Sequence, residues 1–288
     1  MNDYLQVDKK ESGTQIVVLG SGTPNPDPKH QGAGIAIISK GQTYLVDCGP
    51  GIVRQASASH AMGVLELDMK HLTRVFITHL HSDHTMGLPD LMFTPAVTGR
   101  QVGLSIFGPP GTKKMVNHIE SAWAEDRNIR LHEGEPSVPD AYRFPVQEAS
   151  DGWVYKDDIV RIKAFKVRHG HWKFALGYRI ETSDRVIVIS GDTTYSPELI
   201  ENAKGCDVLI HEAYSEDGLK LRTPEWQAYH STYHSSGPDV GRIAQIVQPK
   251  LLILYHELPF GQKDGQILKE VSTTYTGKVI EAVDLAIY

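Results

Sequence analysis

Apolar residues in this chain come in short runs that stop at turn residues. The run 15–19 stops at Gly20-Ser21-Gly22-Thr23-Pro24, 35–38 leads to a turn at Gly41, and 44–46 stops at Asp47. The runs 74–77, 105–107, 186–189, 208–210 and 251–255 follow the same pattern. Short runs rich in β-branched residues and closed by turn formers predict strands. Helices fit the intervals 51–60, 113–125, 197–203, 238–247 and 265–274. The polar, proline-containing stretch 133–157 predicts a surface connection or hairpin. What ends the strands is more informative than the strands themselves. Asp47, His79, Asp192, His211-Glu212 and His256-Glu257 each follow an apolar run. In layered α/β proteins strand ends are where loops converge and sites collect.

Composition sets limits. The chain has 288 residues, 40% hydrophobic and 22% charged, enough to bury a core without disulfide staples, and residues 1–288 are read as one domain. Its formal charge of −6, from 29 basic and 35 acidic residues, disfavours nucleic acid as the partner, although a local basic patch remains compatible with it. Two cysteines, Cys48 and Cys206, read as buried thiols in a reducing compartment. Met1-Asn2-Asp3-Tyr4 does not open a secretory leader, and no apolar run reaches membrane-spanning length. A cytoplasmic protein is expected. Of the 14 histidines, His60, His71, His118 and His132 stand alone and read as structural.

The run His79-Leu80-His81-Ser82-Asp83-His84 packs three imidazoles and a carboxylate into six residues. A helix cannot aim all four at one ion, but a strand-to-loop-to-helix turn can aim them at two. These donors suit zinc, with manganese or iron as alternatives. The run resembles the H-x-H-x-D-H signature of the metallo-β-lactamase superfamily. Asp47, His169, Asp192 and His256 follow in that family's order. The resemblance implies a four-layer αββα sandwich, two mixed sheets flanked by helices. It implies two zinc-type ions, one held by His79, His81, His169 and Asp192, the other by Asp83, His84, Asp192 and His256. Asp47 would orient a ligand by hydrogen bond. His171 rivals His169. Water bridging two such ions ionises near neutrality. The resulting hydroxide, oriented by Asp83 as base, would attack an ester-type phosphorus, sulfur or carbonyl centre.

A second set narrows the branch. His211-Glu212-Ala213 and His234-Ser235-Ser236 resemble segments of the ribonuclease Z branch, which also holds arylsulfatase-like hydrolases. The resemblance implies that Glu212 orients His234, which acts as general acid; His230 rivals it. The glycine turn at 20–24 could cradle an anion, and 108–114 reads as a strand-to-helix turn without a phosphate loop's ending. Trp226 and Tyr229 are expected in the core or at a rim, and Trp172 and Tyr195 could line a pocket. Tracts 124–140 and 148–158 are acidic and unlike the basic arm that clamps tRNA in this branch. A small-molecule ester (aryl sulfate, phosphodiester or lactone) is therefore expected as substrate, ahead of the alternatives, a tRNA 3′-processing endonuclease and a non-catalytic binding protein. A homodimer is compatible with the branch.

Overall fold

The computed structural model describes residues 13–288; the segment Met1–Tyr4, read above for a leader, lies outside the described residues. Thirteen strands form two sheets. The first holds β1 (Gln15–Gly20), β2 (Gly34–Ser39), β3 (Gln42–Val46), β4 (Arg74–Phe76), β5 (Ser105–Gly108) and β6 (Val146–Glu148), in that spatial order. The second holds β7 (Gly152–Lys156), β8 (Arg161–Lys166), β9 (Leu176–Glu181), β10 (Val186–Ile189), β11 (Val208–Tyr214), β12 (Leu251–Leu258) and β13 (Val279–Glu281), also in sequence order. β1–β3 and β7–β10 pair antiparallel, while β3–β6 and β10–β13 pair parallel.

The apolar runs are continuous because the inner strands, β1–β5 and β9–β12, are covered on both faces. Successive side chains point to opposite faces. Ile16, Val18, Ile35 and Ile37 meet Ile187, Ile189 and Ile253 between the sheets. Val17, Leu19, Ala36 and Ile38 face out beneath the helices Ile52–Ala61 and Leu88–Thr98. On the other sheet Val188, Leu209, Leu252 and Leu254 face out beneath Pro197–Ala203 and Gly237–Val247. The result is the expected αββα sandwich of two mixed sheets.

The helix expected at 113–125 breaks at Trp123 into Thr112–Ala122 and Ala124–His132. The stretch 133–157 is more than a surface connection: β6 and β7 make it an edge of each sheet, so it joins the two. The helix Leu88–Thr98 was not expected, since it carries Pro89 and Pro95; burial of Leu91 and Met92 offsets the proline cost.

Topology sets the direction of the site. β8 and β10 each run antiparallel to β9, so they point the same way, as do β11 and β12. The residues that follow β8, β10, β11 and β12 thus gather at one end.

Buried Arg100 and partly buried Glu257 test this packing. Arg100 is fully buried and donates to the carbonyls of Leu72, Leu91, Met92 and Ala141 at 2.7–3.2 Å. Burial lowers its pKa to about 10. Arg100→Leu strands four acceptors and should cost about 3 kcal/mol in urea unfolding; a cost near zero would mean that water replaces the guanidinium. Glu257 is raised from 4.5 to about 8, by burial first and then by Glu281 and Asp264. The folded chain holds this proton more tightly than the unfolded chain. Its stabilising effect is full below pH 4.5 and is lost as pH rises through about 8. Glu257→Gln should flatten the fall in Tm over that window, as read by thermal melts in matched buffers.

Candidate metal centre

β4 delivers Ile77 and Thr78 to a loop carrying His79 and His81, and His81 caps the short helix Ser82–Thr85 that carries Asp83 and His84. Asp47 follows β3 in a left-handed backbone, φ 62°. Its carboxylate accepts from the Thr78 amide at 2.7 Å, from the Thr78 hydroxyl at 2.8 Å and from His84 Nδ1 at 2.8 Å. The strain of a non-glycine residue at positive φ is retained where surrounding contacts enforce it. Here they tie two strand ends together.

The opposite wall comes from the second sheet. His169 follows β8 and donates from Nδ1 to the Tyr233 carbonyl at 2.7 Å. Asp192 follows β10 behind Gly191, whose φ is 59°; a Cβ there would lie 2.5 Å from the Leu176 carbonyl oxygen. His256 is the extra residue of a bulge in β12, where Glu212 pairs with Tyr255 but Ala213 with Glu257. Regular alternation would turn His256 to the outer helices. The bulge and a φ of 49° re-aim it.

These tethers fix the histidine tautomers. The Thr78 hydroxyl gives its proton to Asp47, so at 3.0 Å it accepts from His79 Nδ1. In the neutral imidazoles Nδ1 therefore carries the proton in His79, His84 and His169, which leaves Nε2 as the nitrogen that can take up a cation. His79 Nε2 and His169 Nε2 lie 2.9 and 3.2 Å from His81 Nδ1, and Asp192 Oδ2 lies 3.8 Å from His79 Nε2. Around tetrahedral zinc with Zn–N bonds near 2.0–2.1 Å, neighbouring donors are about 3.3 Å apart. The second group is looser: Asp83 Oδ2 lies 3.0 Å from His256 Nε2 and 3.6 Å from His84 Nε2, and Asp192 Oδ1 lies 3.5 Å from His84 Nε2. His84 Nε2, Asp192 Oδ1 and His256 Nδ1 are buried with no hydrogen-bond partner. Buried lone pairs without donors are costly, and a cation satisfies them together. The donor set fits divalent metal. One contact competes. Trp172 Nε1 donates to His81 Nε2 at 2.9 Å, which puts the proton of neutral His81 on Nδ1. A cation at Nδ1 requires the other tautomer and ends the Trp172 bond.

Electrostatics sorts these groups. Burial, then the neighbouring His84, lowers His79 far below its ordinary value. Burial lowers His169 to about 4. Burial also opposes charge on His84, but Asp192 and Asp47 outweigh it and raise its pKa well above the usual range. Asp192 is held well down despite full burial, because His256 and His84 face it. Beside it lies Glu212, fully buried, with Oε1 accepting from the amides of Thr193 and Ser235 and Oε2 lying 3.4 Å from His234 Nδ1. Burial and then Asp192 raise Glu212 well above 4.5, while burial lowers His234 to about 4.

Residues 42–256 match the Beta-lactamase superfamily domain. Ribonuclease Z of Mycobacterium marinum is 31% identical over 278 residues, covering 94% of this chain and 96% of that relative. Ribonuclease Z of Mycobacterium sp. (strain KMS) is 32% identical over 249 residues, 85% of this chain and 84% of the relative. The chain belongs to the ribonuclease Z branch of the metallo-β-lactamase superfamily. Solved structures share the superfamily fold: the metallo-β-lactamase fold protein YhfI from Bacillus subtilis, with TM-score 0.70, 20% identity and 96% and 99% of the two chains covered, and the short form of human tRNase Z, with TM-score 0.68, 22% identity and 95% and 98% covered.

Membership of this branch makes the chain a metal-dependent hydrolase and corrects one expectation. The sequence favoured a small ester over RNA, whereas the relatives carry the ribonuclease name. Other expectations resolve at the level of contacts. His171 is exposed, whereas His169 is buried among the donors. His230 is half-buried on the helix Pro224–Tyr233, beyond His234. The turn 20–24 is already filled by a carboxylate: Asp284 accepts from the Ser21 amide and hydroxyl at 2.9 and 2.7 Å. The turn 108–114 does lead from strand to helix, and its Gly111 and Lys113 amides are taken by Glu148. Cys48 and Cys206 are buried and unpaired. Trp226 and Tyr229 lie on the rim of the cavity above the donors, with Arg222 and Phe260; no spacing or motif groups these four. Asp47→Asn should weaken metal binding about 10- to 100-fold, by loosening His84. Zinc titration calorimetry reads this, and unchanged affinity would detach Asp47 from the centre.

Proposed function

We propose that this chain is a ribonuclease Z-type phosphodiesterase that uses two metal ions, zinc first among them, to cut an RNA precursor such as pre-tRNA. The observation that supports this most is one juxtaposition. The donor groups His79-His81-His169-Asp192 and Asp83-His84-His256, with Asp192 oxygens 3.8 Å from His79 Nε2 and 3.5 Å from His84 Nε2, lie beside the Glu212–His234 pair under one open cavity of about 500 Å³. The relatives named ribonuclease Z extend that support to the substrate.

Two objections from the sequence lose weight. A relative covered over 96% of its length has little room for an inserted arm that this chain lacks. Much of the acidity in 124–140 is paired locally, Arg130 with Asp126 and Glu135 at 3.0 and 2.9 Å.

His79, His81, His169 and Asp192 would hold one cation and Asp83, His84, Asp192 and His256 a second, whose charge would acidify water and polarise the diester. The chain supplies the rest. Asp83, 3.0 Å from His256 Nε2, orients the attacking water and takes up its proton. Glu212 holds the second proton and the orientation of His234. His234 passes a proton to the departing oxygen, a step worth about 10²–10⁴ in rate. Two unpaired buried thiols suit the reducing cytoplasm.

The test is cleavage of precursor tRNA by the zinc-loaded chain. Asp83→Ala and Asp192→Ala should abolish it, as should chelation. His234→Ala should lose about 10²–10⁴ on RNA but far less on a nitrophenyl diester, whose leaving group needs no proton. Uncut RNA alongside rapid turnover of aryl sulfates or lactones would replace the proposal with the small-ester reading.

A further inference from the structure

Two cavities meet at the candidate centre. One, of about 500 Å³, extends toward the helix Pro224–Tyr233 and the end of β12. The other, of about 410 Å³, runs along residues 23–28. Pro24, Asn25, Ser82 and Asp83 line both. The donors thus sit at the junction of a two-armed groove, the shape a diester with a substituent on each side requires.

The arms differ in chemistry. The first is walled by Trp226, Tyr229 and Phe260, with Arg222 and His234. Arg222 lies 5.5 Å over the Phe260 ring, and Trp226 stacks on His230 at 5.5 Å. Trp226 is nonetheless 53% exposed, and its helix buries no residue at all. Trp226 and Tyr229 therefore do not serve a core, while Phe260, which packs on Tyr214, Leu219 and Leu258, anchors that wall of the arm. The second arm has prolines, Asp27 and one ring, the exposed His30 imidazole paired with the Ser21 hydroxyl at 2.9 Å, but no Phe, Tyr or Trp, and His234 does not reach it.

We propose that the aromatic arm is the subsite for the half of the diester that carries the leaving oxygen, and that it takes a planar ring, a nucleobase in RNA. The inference rests on the diesterase reading above. In that reaction the water oxygen bonds to phosphorus. The bond from phosphorus to the leaving oxygen breaks, its electron pair stays on that oxygen, and the proton arrives from His234. The departing half must therefore lie on the His234 side, and the half that keeps the phosphate lies along 23–28. Aromatic stacking of one base changes affinity roughly 5- to 150-fold.

The experiment compares zinc-loaded wild type, Trp226→Ala, Phe260→Ala and the conservative Trp226→Phe. Bis(p-nitrophenyl) phosphate and methyl p-nitrophenyl phosphate share a leaving group and differ in the retained one. Both alanine variants should lose about tenfold in kcat/KM on both substrates equally, with Trp226→Phe near wild type. A loss on the bis-aryl substrate alone would put the retained half in the aromatic arm and overturn the assignment. Unchanged kinetics on both would also overturn it. Calorimetric binding of adenosine, which needs no turnover, should weaken at least fivefold in Trp226→Ala, and equal binding would count against the subsite even if neither diester is cleaved. A chain that leaves precursor RNA intact but shows the equal loss keeps this inference while the RNA reading falls.

Discussion

The centre depends on how the charge of Asp192 is compensated. This carboxylate is almost fully buried, with His79, His84, His234 and His256 within 4 Å of its oxygens. Two of those imidazoles, His79 and His84, hold a proton on the nitrogen turned away from it, toward the Thr78 hydroxyl and Asp47. The nitrogens they turn to Asp192 become positive only by taking up a further proton or a cation. Only added positive charge settles such an arrangement, so the protein has folded a demand for cations into its interior. The tethers behind the ring do as much as the ring itself, since they decide which nitrogen is bare.

The same economy explains how an anionic substrate would be held. Two turns at strand ends offer backbone amides of the kind that bind anions elsewhere. Both are closed by carboxylates of the chain itself, Asp284 at the first and Glu148 at the second. These internal contacts brace the loops around the groove. They also leave metal charge and Arg222 to attract phosphate, which fits a chain of net charge −6 that nonetheless resembles nucleases.

Legibility followed locality. His79 to His84 could be read because six consecutive residues carry the chemistry, and Asp47, Asp192 and His256 because each ends an apolar run. Both sheets were foreseeable where strands are buried on two faces. β6 and β7 were not, because edge strands with exposed residues lose the alternation that marks a strand. The aromatic arm was hidden for a related reason. The helix Pro224–Tyr233 buries nothing, so no apolar stripe announces it, and Phe260 joins it from another element. The clamp between Ser21 and Asp284 spans 263 residues, and no local pattern reports such a pairing.

The bulge at His256 carries a consequence for how this protein can vary. One extra residue resets the parity of β12, so that Tyr255 faces the space between the sheets while His256 turns to the centre. Drift in chain length at this point is quantised: losing or gaining one position exchanges an imidazole for a neighbour on the wrong side. Loops such as 23–28 tolerate gradual lengthening, whereas β12 admits only changes that preserve its count. Related chains should therefore keep the length of this strand, as of the other strands buried on two faces, and differ in size in the loops.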